Sequence, residues 1–186
     1  MDTKESGYES HKDILKDIIT TFNVKSALEF GLGYGSTKTF LDNIKGQLIS
    51  IEMDSPYWYE KVAFKFLEYD NFHPLMIPGA ERACDFVQYL DRTFDMMLVD
   101  GCGLSRWMQC NVATGKSNII VCHDTETKQY DWGKVIVPPG WIWLDIVEKD
   151  PWTAVLTNNQ TVYDHIKRNY KNLEYQLNFC DKTFLR

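Results

Sequence analysis

The feature that most constrains the fold of this chain is the stretch Ser26 to Thr39, which reads SALEFGLGYGSTKT. A short apolar run ends at Glu29, and Gly31, Gly33 and Gly35 then alternate with other residues before a predicted helix. Glycines at this spacing let the backbone turn sharply and approach a ligand, and the first N–H groups of a helix are unpaired donors for polar or anionic atoms. The order strand, glycine loop and helix predicts the first turn of an α/β sheet that holds a nucleotide-type cofactor.

The spacing of the glycines separates two kinds of cofactor loop. The dinucleotide fingerprint G-x-G-x-x-G, counted from Gly31, requires a glycine where Ser36 stands. The pattern E-x-G-x-G-x-G instead resembles motif I of the class I S-adenosylmethionine-dependent methyltransferases. The resemblance implies that the acid and the loop hold the methionine and sugar portions of S-adenosylmethionine. The residues concerned are Glu29, Gly31, Gly33, Gly35 and Ser36.

A second carboxylate follows the glycine loop at the end of the next predicted strand. This strand is Gln47 to Glu52, which reads QLISIE. A carboxylate about twenty residues beyond the loop, at the tip of the adjacent strand, is placed to accept hydrogen bonds from both ribose hydroxyls. We therefore predict that Glu52 binds the ribose of the cofactor. The alternative is that the glycines form an ordinary turn and Glu52 is a solvated strand end.

The third predicted strand, His73 to Ile77, is followed by Pro78, Gly79 and Ala80. In the class I methyltransferases a segment at this place contacts the adenine. The resemblance therefore implies that Gly79 and Ala80 belong to the cofactor site, through backbone contacts.

The fourth and fifth predicted strands end in the polar residues that we expect to carry chemistry. FDMMLVD ends in Asp100, and NIIVC is followed at once by His123 and Asp124. Near-continuous apolar runs are typical of strands buried on both faces of a parallel sheet, whose carboxyl ends share one edge. Two carboxylates and an imidazole at that edge would supply a general base, or a divalent-ion site at Asp100 and Asp124. The alternative is a hydrogen-bonded structural pair.

These two strand ends also resemble a branch that includes sugar and natural-product O-methyltransferases. The resemblance implies catalytic roles for Asp100, His123 and Asp124, with Asp100 also beside the cofactor. Enzymes of that branch often have a histidine three residues after the aspartate, and here that position is Gly103. The proton acceptor is therefore His123, or that mechanism is absent.

Strands alternate with helices along the chain, which predicts an α/β fold with helices on both faces of the sheet. The resemblance implies a three-layer Rossmann-like sandwich with a mostly parallel, seven-stranded sheet whose last strand is antiparallel. We expect the final strand near Leu173 to Phe179. Ser10 with Asp13 resembles a capping box at the start of the first helix.

The sequence predicts one domain over residues 1–186. Within it, residues 1–9 are expected to be a loose tail. Residues 126–151 read as a tryptophan-rich insertion, in which Trp132 is expected to be exposed because charged residues surround it.

Composition limits the partners of the chain. Its formal net charge of −6 and the lack of a basic cluster disfavour nucleic acid and anionic membranes. Five cysteines without a C-x-x-C pair are typical of reduced thiols in the cytoplasm, and no apolar run approaches the ~18 residues of a membrane helix. We therefore expect a cytoplasmic methyltransferase with S-adenosylmethionine as cofactor and a small-molecule acceptor.

Two other classes of protein remain open at this point. A nicotinamide-dependent oxidoreductase shares the same first strand-loop-helix unit, although Ser36 and Glu29 argue against it. A non-catalytic module that binds S-adenosylmethionine or a nucleotide would keep the fold without the acceptor chemistry. A nucleic-acid methyltransferase is disfavoured because the chain has no D/N-P-P-Y/W tetrapeptide.

Overall fold

The computed structural model describes residues 10–175, in which helices and strands alternate as far as residue 123. The helices are α1 Lys12–Thr21, α2 Tyr34–Asn43, α3 Pro56–Phe66, α4 Ala80–Tyr89, α5 Arg106–Ala113 and α6 Gln160–Asn169. The strands are β1 Ala27–Phe30, β2 Leu48–Glu52, β3 Phe72–Met76, β4 Met96–Val99, β5 Ile119–His123, β6 Ile142–Ile146, β7 Thr153–Thr157 and β8 Asn172–Tyr175. The predicted tail 1–9 and the end of the predicted last strand, 176–179, lie outside the described residues.

All eight strands belong to one sheet with the order β3-β2-β1-β4-β5-β7-β6-β8. Within the group β1 to β5, every pair of neighbouring strands is parallel. Strand β7 is antiparallel to both β5 and β6, and β8 is antiparallel to β6. The predicted α/β class, with parallel strands first and antiparallel strands last, is confirmed.

The predicted number of seven strands is wrong, because the described residues form eight. The additional strand is β6, which lies inside the predicted insertion 126–151. Its sequence IWLDI contains Asp145, so the segment shows neither an unbroken apolar run nor a clean alternation. In the structure Asp145 is fully buried, and its carboxylate accepts hydrogen bonds from Thr125 Oγ1 at 2.7 Å and Trp143 Nε1 at 2.9 Å. These bonds make a carboxylate compatible with a strand in the interior.

Two hydrophobic layers sandwich the sheet. One contains the apolar faces of α1, α2, α3 and α6, with Leu15, Phe40, Phe66 and Ile166 among its buried side chains. The other contains α4 and α5 together with the segment that precedes β6, including Val87, Cys110, Val137 and Trp143. This is the predicted three-layer arrangement. It leaves the carboxyl ends of β1, β2, β4 and β5 along one edge.

Trp132 is buried, contrary to the expectation that it would be exposed. Only 3% of its surface is accessible, and its ring packs edge-on against Trp143 with ring centroids 5.7 Å apart. Its indole N–H donates to the carbonyl of Asp124 at 3.1 Å. The charged neighbours Asp131 and Lys134 are exposed, but the short 3₁₀ turn that carries them points the indole inward. The tryptophan therefore anchors the loop after β5.

Gly31 allows the turn after β1 to pass directly over the end of β4. Its φ is +85°, a conformation that costs other residues energy, and its N–H donates to the carbonyl of Ile51 at 2.8 Å. A Cβ atom here would lie 2.7 Å from both the carbonyl carbon of Asp100 and the Cα of Gly101. Backbone meets backbone at this point, so no side chain can move aside.

We expect Gly31→Ala to lower the free energy of unfolding by about 2–5 kcal/mol, because the positive φ and the clash with β4 both act against it. Urea denaturation measures the change. Gly140→Ala is the matched control, because Gly140 also has a positive φ, +82°, but has nothing within 4 Å of the added Cβ. Its expected cost is about 1–2 kcal/mol. Equal costs for the two variants would contradict the close approach at β4.

Candidate functional site

Glu29 lies beneath the glycine loop and is fully buried. Its carboxylate accepts hydrogen bonds from three hydroxyls: Ser36 Oγ, Thr37 Oγ1 at 2.8 Å and Ser50 Oγ at 2.7 Å. Burial raises the pKa of this carboxyl to about 7, although the hydroxyl bonds act in the opposite direction. Glu29 and Ser36 thus hold the loop from inside, and a direct contact of either with a cofactor stays a prediction.

The glycine loop leads into the N-terminus of α2. Gly33 is the N-cap residue, and its own N–H donates to Thr37 Oγ1 at 3.1 Å. Gly35 lies in the first turn of the helix and is partly exposed. This geometry presents the first N–H groups of α2 along the carboxyl edge of the sheet, next to the ends of β1 and β4.

Glu52 ends β2, as predicted, and is 6% exposed. Its Oε1 atom accepts hydrogen bonds from the backbone N–H groups of the following turn, Met53 at 3.1 Å, Asp54 at 2.9 Å and Ser55 at 3.2 Å. Within the described part of the chain, Oε2 makes no hydrogen bond. One oxygen therefore fixes the side chain, while the other remains available as an acceptor.

Gly79 and Ala80 start α4 beside the end of β2. Gly79 is exposed with a φ of +92°, and its N–H donates to the carbonyl of Met53 at 3.0 Å. The preceding Ile77 donates to the carbonyl of Glu52 at 2.9 Å. The segment predicted to contact adenine thus lies next to the residue predicted to bind ribose.

Asp100 and Asp124 are brought together by Arg106, a residue that the sequence analysis missed. Arg106 Nη2 lies 2.8 Å from Asp100 Oδ1, and Nη1 lies 2.7 Å from Asp124 Oδ2. The same guanidinium donates to the carbonyls of Gly101 at 3.0 Å and His123 at 2.8 Å. One buried arginine therefore joins the ends of β4 and β5. The available signal was that Arg106 is the one charged residue of α5 and lies six residues after Asp100.

The charge of Arg106 changes the chemistry of the neighbouring carboxylate. Burial raises the pKa of the Asp100 carboxyl, but the hydrogen bond from His123 and the charge of Arg106 outweigh burial and lower that pKa to about 2. Asp100 is therefore an ionised, stabilised carboxylate at neutral pH. Its Oδ2 atom makes no hydrogen bond within residues 10–175.

His123, at the end of β5, is 3% exposed and uses both ring nitrogens. Nδ1 lies 3.2 Å from Asp100 Oδ1, and Nε2 lies 3.1 Å from Ser10 Oγ. The single hydroxyl proton of Ser10 is donated to the carbonyl of Pro151 at 2.8 Å, so Ser10 accepts a hydrogen from His123. An ionised Asp100 can also only accept. The two contacts fix the plane of the His123 ring between Asp100 and Ser10.

The residue next to Ser10 is also part of this cluster. His11 is 2% exposed and is the N-cap residue of α1, so the predicted capping box of Ser10 and Asp13 does not form. The His11 ring packs edge-on against His123 with centroids 4.2 Å apart. Within residues 10–175, neither ring nitrogen of His11 has a hydrogen-bond partner. Burial lowers the pKa of His11 to about 4, so the ring is neutral at pH 7.

Tyr130 fills the space beside Gly103. A Cβ on Gly103 would lie 2.8 Å from Cδ1 of the Tyr130 ring. The same ring also packs against the guanidinium of Arg106, whose carbon lies 4.4 Å from the ring centroid. The space that a side chain at position 103 would enter is therefore occupied by an aromatic ring from the loop after β5.

No protein-family model and no curated protein matches this chain. Its fold, however, matches solved structures. An O-methyltransferase from Bacillus cereus in complex with SAH matches with a TM-score of 0.65 at 11% identity, over 80% of each chain. The O-methyltransferase TomG from Streptomyces achromogenes in complex with SAM matches with a TM-score of 0.64 at 14% identity, also over 80% of each chain. Fibrillarin, a pre-rRNA processing protein from Methanococcus jannaschii, matches with a TM-score of 0.54 at 14% identity, over 80% of this chain and 76% of the other.

The fold is that of the class I S-adenosylmethionine-dependent methyltransferases, as the glycine pattern predicted. Identities this low show a common architecture and leave the chemistry to the site residues of this chain. Evidence for the function of this chain therefore comes from its own sheet edge and from the glycine loop at the first turn of the sheet.

The raised pKa of Glu29 predicts a pH dependence of stability. From about pH 4.5 to about 7 the folded chain keeps a proton on Glu29 that the unfolded chain loses, so the free energy of unfolding falls as pH rises through this range. The expected fall is about 3 kcal/mol, measured by urea denaturation as the difference between wild type and Glu29→Gln. Glu60→Gln, at an exposed position of α3, is the control. A difference between wild type and Glu29→Gln that does not change with pH would contradict the raised pKa.

We expect Arg106→Lys to lower the free energy of unfolding by about 2–4 kcal/mol. A lysine keeps the charge but cannot contact Asp100, Asp124 and two carbonyls at once. Arg92→Lys is the matched control, because Arg92 makes one exposed hydrogen bond to Gln47, and its expected effect is below about 0.5 kcal/mol. Equal effects of the two substitutions, measured in urea, would show that the bonds of Arg106 are not specific to a guanidinium.

Proposed function

We propose that this chain is an S-adenosylmethionine-dependent methyltransferase that methylates an oxygen of a small-molecule or sugar-like acceptor. The observation that carries the proposal is the position of Glu52, whose Oε1 is fixed by three N–H groups while Oε2 stays available at the tip of β2. This is the position from which a carboxylate accepts the ribose hydroxyls of a nucleotide-type cofactor.

The glycine loop supplies the second part of the proposed cofactor site. Gly31, Gly33 and Gly35 let the backbone approach the methionine and sugar portions, and the N-terminal N–H groups of α2 face the same edge. Glu29 and Ser36 support the loop from below through their hydrogen bond. The exposed backbone of Gly79 and Ala80 would lie against the adenine.

Methyl transfer from a sulfonium is an in-line displacement. The acceptor oxygen forms a bond to the methyl carbon, the carbon–sulfur bond breaks to give S-adenosylhomocysteine, and the acceptor proton passes to a base or to water. Asp100 and Asp124, fixed by Arg106, orient the acceptor hydroxyl and the sulfonium, which is a contribution of positioning. In this proposal His123, held between Asp100 and Ser10, is the candidate base.

A magnesium ion at Asp100 and Asp124 does not fit the residues present. The two carboxylates already share one guanidinium, at 2.8 and 2.7 Å. Mg²⁺ also requires near-octahedral oxygen ligands, and the neighbouring groups here are the nitrogens of Arg106 and His123. The proposed reaction therefore does not include a magnesium ion.

A non-catalytic module that binds S-adenosylmethionine is the second candidate. It is favoured by Tyr130, whose ring occupies the space beside Gly103, and by the pairing of all three predicted catalytic groups with Arg106 or Ser10. An enzyme and a binding module both bind the cofactor, but only the enzyme transfers its methyl group.

We also propose a cytoplasmic location, one domain over residues 1–186 and no nucleic-acid partner. The negative net charge of −6 supports the last point, because phosphate backbones require a basic surface. Within residues 10–175 none of the helices has the length and apolarity needed to cross a bilayer.

Calorimetric titration with S-adenosylhomocysteine tests the cofactor. We expect saturable binding that Glu52→Gln weakens by about tenfold or more, about 1.4 kcal/mol, because an amide nitrogen replaces one acceptor oxygen while the other can still hold the turn. Glu60→Gln, an exposed substitution on α3, should leave the affinity unchanged. Binding of NADH in preference to S-adenosylhomocysteine, or an equal affinity in Glu52→Gln, would contradict the assignment.

An activity assay on the same protein distinguishes an enzyme from a binding module. Methyl transfer from labelled S-adenosylmethionine to a panel of sugars and phenols is measured for wild type and Asp124→Asn. Turnover that Asp124→Asn abolishes, with cofactor affinity retained, supports the enzyme. Cofactor binding without transfer to any acceptor favours the module.

A further inference from the structure

His11 is a buried group that the proposed methyl transfer does not use. Both of its ring nitrogens lack a hydrogen-bond partner among the described residues, although His11 is only 2% exposed. Leaving one buried polar atom unpaired costs about 1–3 kcal/mol, so a neutral ring with two such atoms indicates a missing partner. His11 is also fixed in place, because it begins α1 and packs against His123.

The surroundings of His11 indicate which partner is missing. One ligand atom each from His11, Asp100 and His123 lie within 4.8 Å of one another. The Asp100 Oδ1 and His123 Nδ1 atoms are 3.2 Å apart, close to the separation of about 3.3 Å between two ligands of a tetrahedral ion with bonds of about 2.0 Å. His11, Asp100 and His123 can thus each offer one ligand atom to a single ion.

We propose that His11, Asp100 and His123 bind one first-row transition metal ion of the Zn²⁺ type. Two imidazoles and one carboxylate suit such an ion and not Mg²⁺, which distinguishes this site from an oxygen-ligand site at Asp100 and Asp124. The ion takes the place of the proton between His123 and Asp100. Three protein ligands leave a coordination position for water or for a hydroxyl of an acceptor.

The ligands come from three separate parts of the fold. His11 precedes α1, Asp100 follows β4 and His123 ends β5. A bound ion therefore ties the start of α1 to the edge of the sheet, where Ser10 already contacts Pro151 at 2.8 Å. Arg106 remains in contact with Asp100 at 2.8 Å and holds this carboxylate at the end of β4.

Co²⁺ titration of untagged, chelator-treated protein tests the site. We expect one equivalent to bind with the visible absorption of a four- or five-coordinate nitrogen and oxygen site, and Zn²⁺ to displace it. His11→Gln should weaken binding by about a hundredfold. His165→Gln is the matched control, because it removes another histidine that contacts a carboxylate, Asp17 at 2.7 Å, and should leave binding unchanged. Equal binding by wild type and His11→Gln would overturn the proposal, as would cobalt–thiolate absorption, which would place the ion at a cysteine.

Imidazole NMR spectra of the wild type give a test that needs no variant. The chain has four histidines, His11, His73, His123 and His165. Zn²⁺ should shift the ring resonances of His11 and His123 and leave those of His73 and His165 in place. A shift of only the latter pair, or of none, would overturn the proposal. Titration of the metal-free protein with S-adenosylhomocysteine tests the proposed function independently of the metal site, because His11 is not one of the predicted cofactor residues.

Discussion

The carboxyl edge of this sheet depends on one buried cation, the guanidinium of Arg106. It contacts the carboxylates of Asp100 and Asp124 and the backbone carbonyls at the ends of β4 and β5. Two acidic side chains at adjacent strand ends would otherwise repel each other where water is partly excluded. The arginine turns this repulsion into a rigid arrangement, and with it fixes the place of His123 through Asp100.

Glu29 and Asp100 show how environment divides the roles of two acids at this edge. Glu29 accepts hydrogen bonds from three hydroxyls, and burial raises its pKa to about 7. Burial acts on Asp100 in the same direction, but His123 and Arg106 outweigh it and lower its pKa to about 2. Glu29 is thus suited to hold a loop by hydrogen bonds in either protonation state. Asp100 presents a permanent negative charge towards the groups that bind beside it.

The sequence predicts those parts of the site that depend on local pattern. The glycine loop, Glu52 and the ends of β4 and β5 follow from runs of a few residues, and the structure places them along one edge. Strand β6 was missed because its partners β7 and β8 come later in the chain, and because the hydrogen bonds that make Asp145 acceptable arise only on folding. Arg106 was missed for the same reason, since its partners lie on two strands that the sequence separates. Side-chain pairing across long separations is set by packing, which a single sequence does not display.

The segments that the shared fold does not prescribe lie beside the ends of β4 and β5. Ser10 and His11 reach this edge from the start of α1, and Tyr130 reaches it from the loop after β5. A cavity of about 170 Å³ continues from Ser10 towards Thr153, whose buried hydroxyl has no hydrogen-bond partner within residues 10–175. The proposed cofactor residues on β1 and β2 are held by backbone and hydroxyl bonds that do not involve these segments. In the proposed enzyme, selectivity for the acceptor therefore depends on the side chains that these segments place around the strand ends.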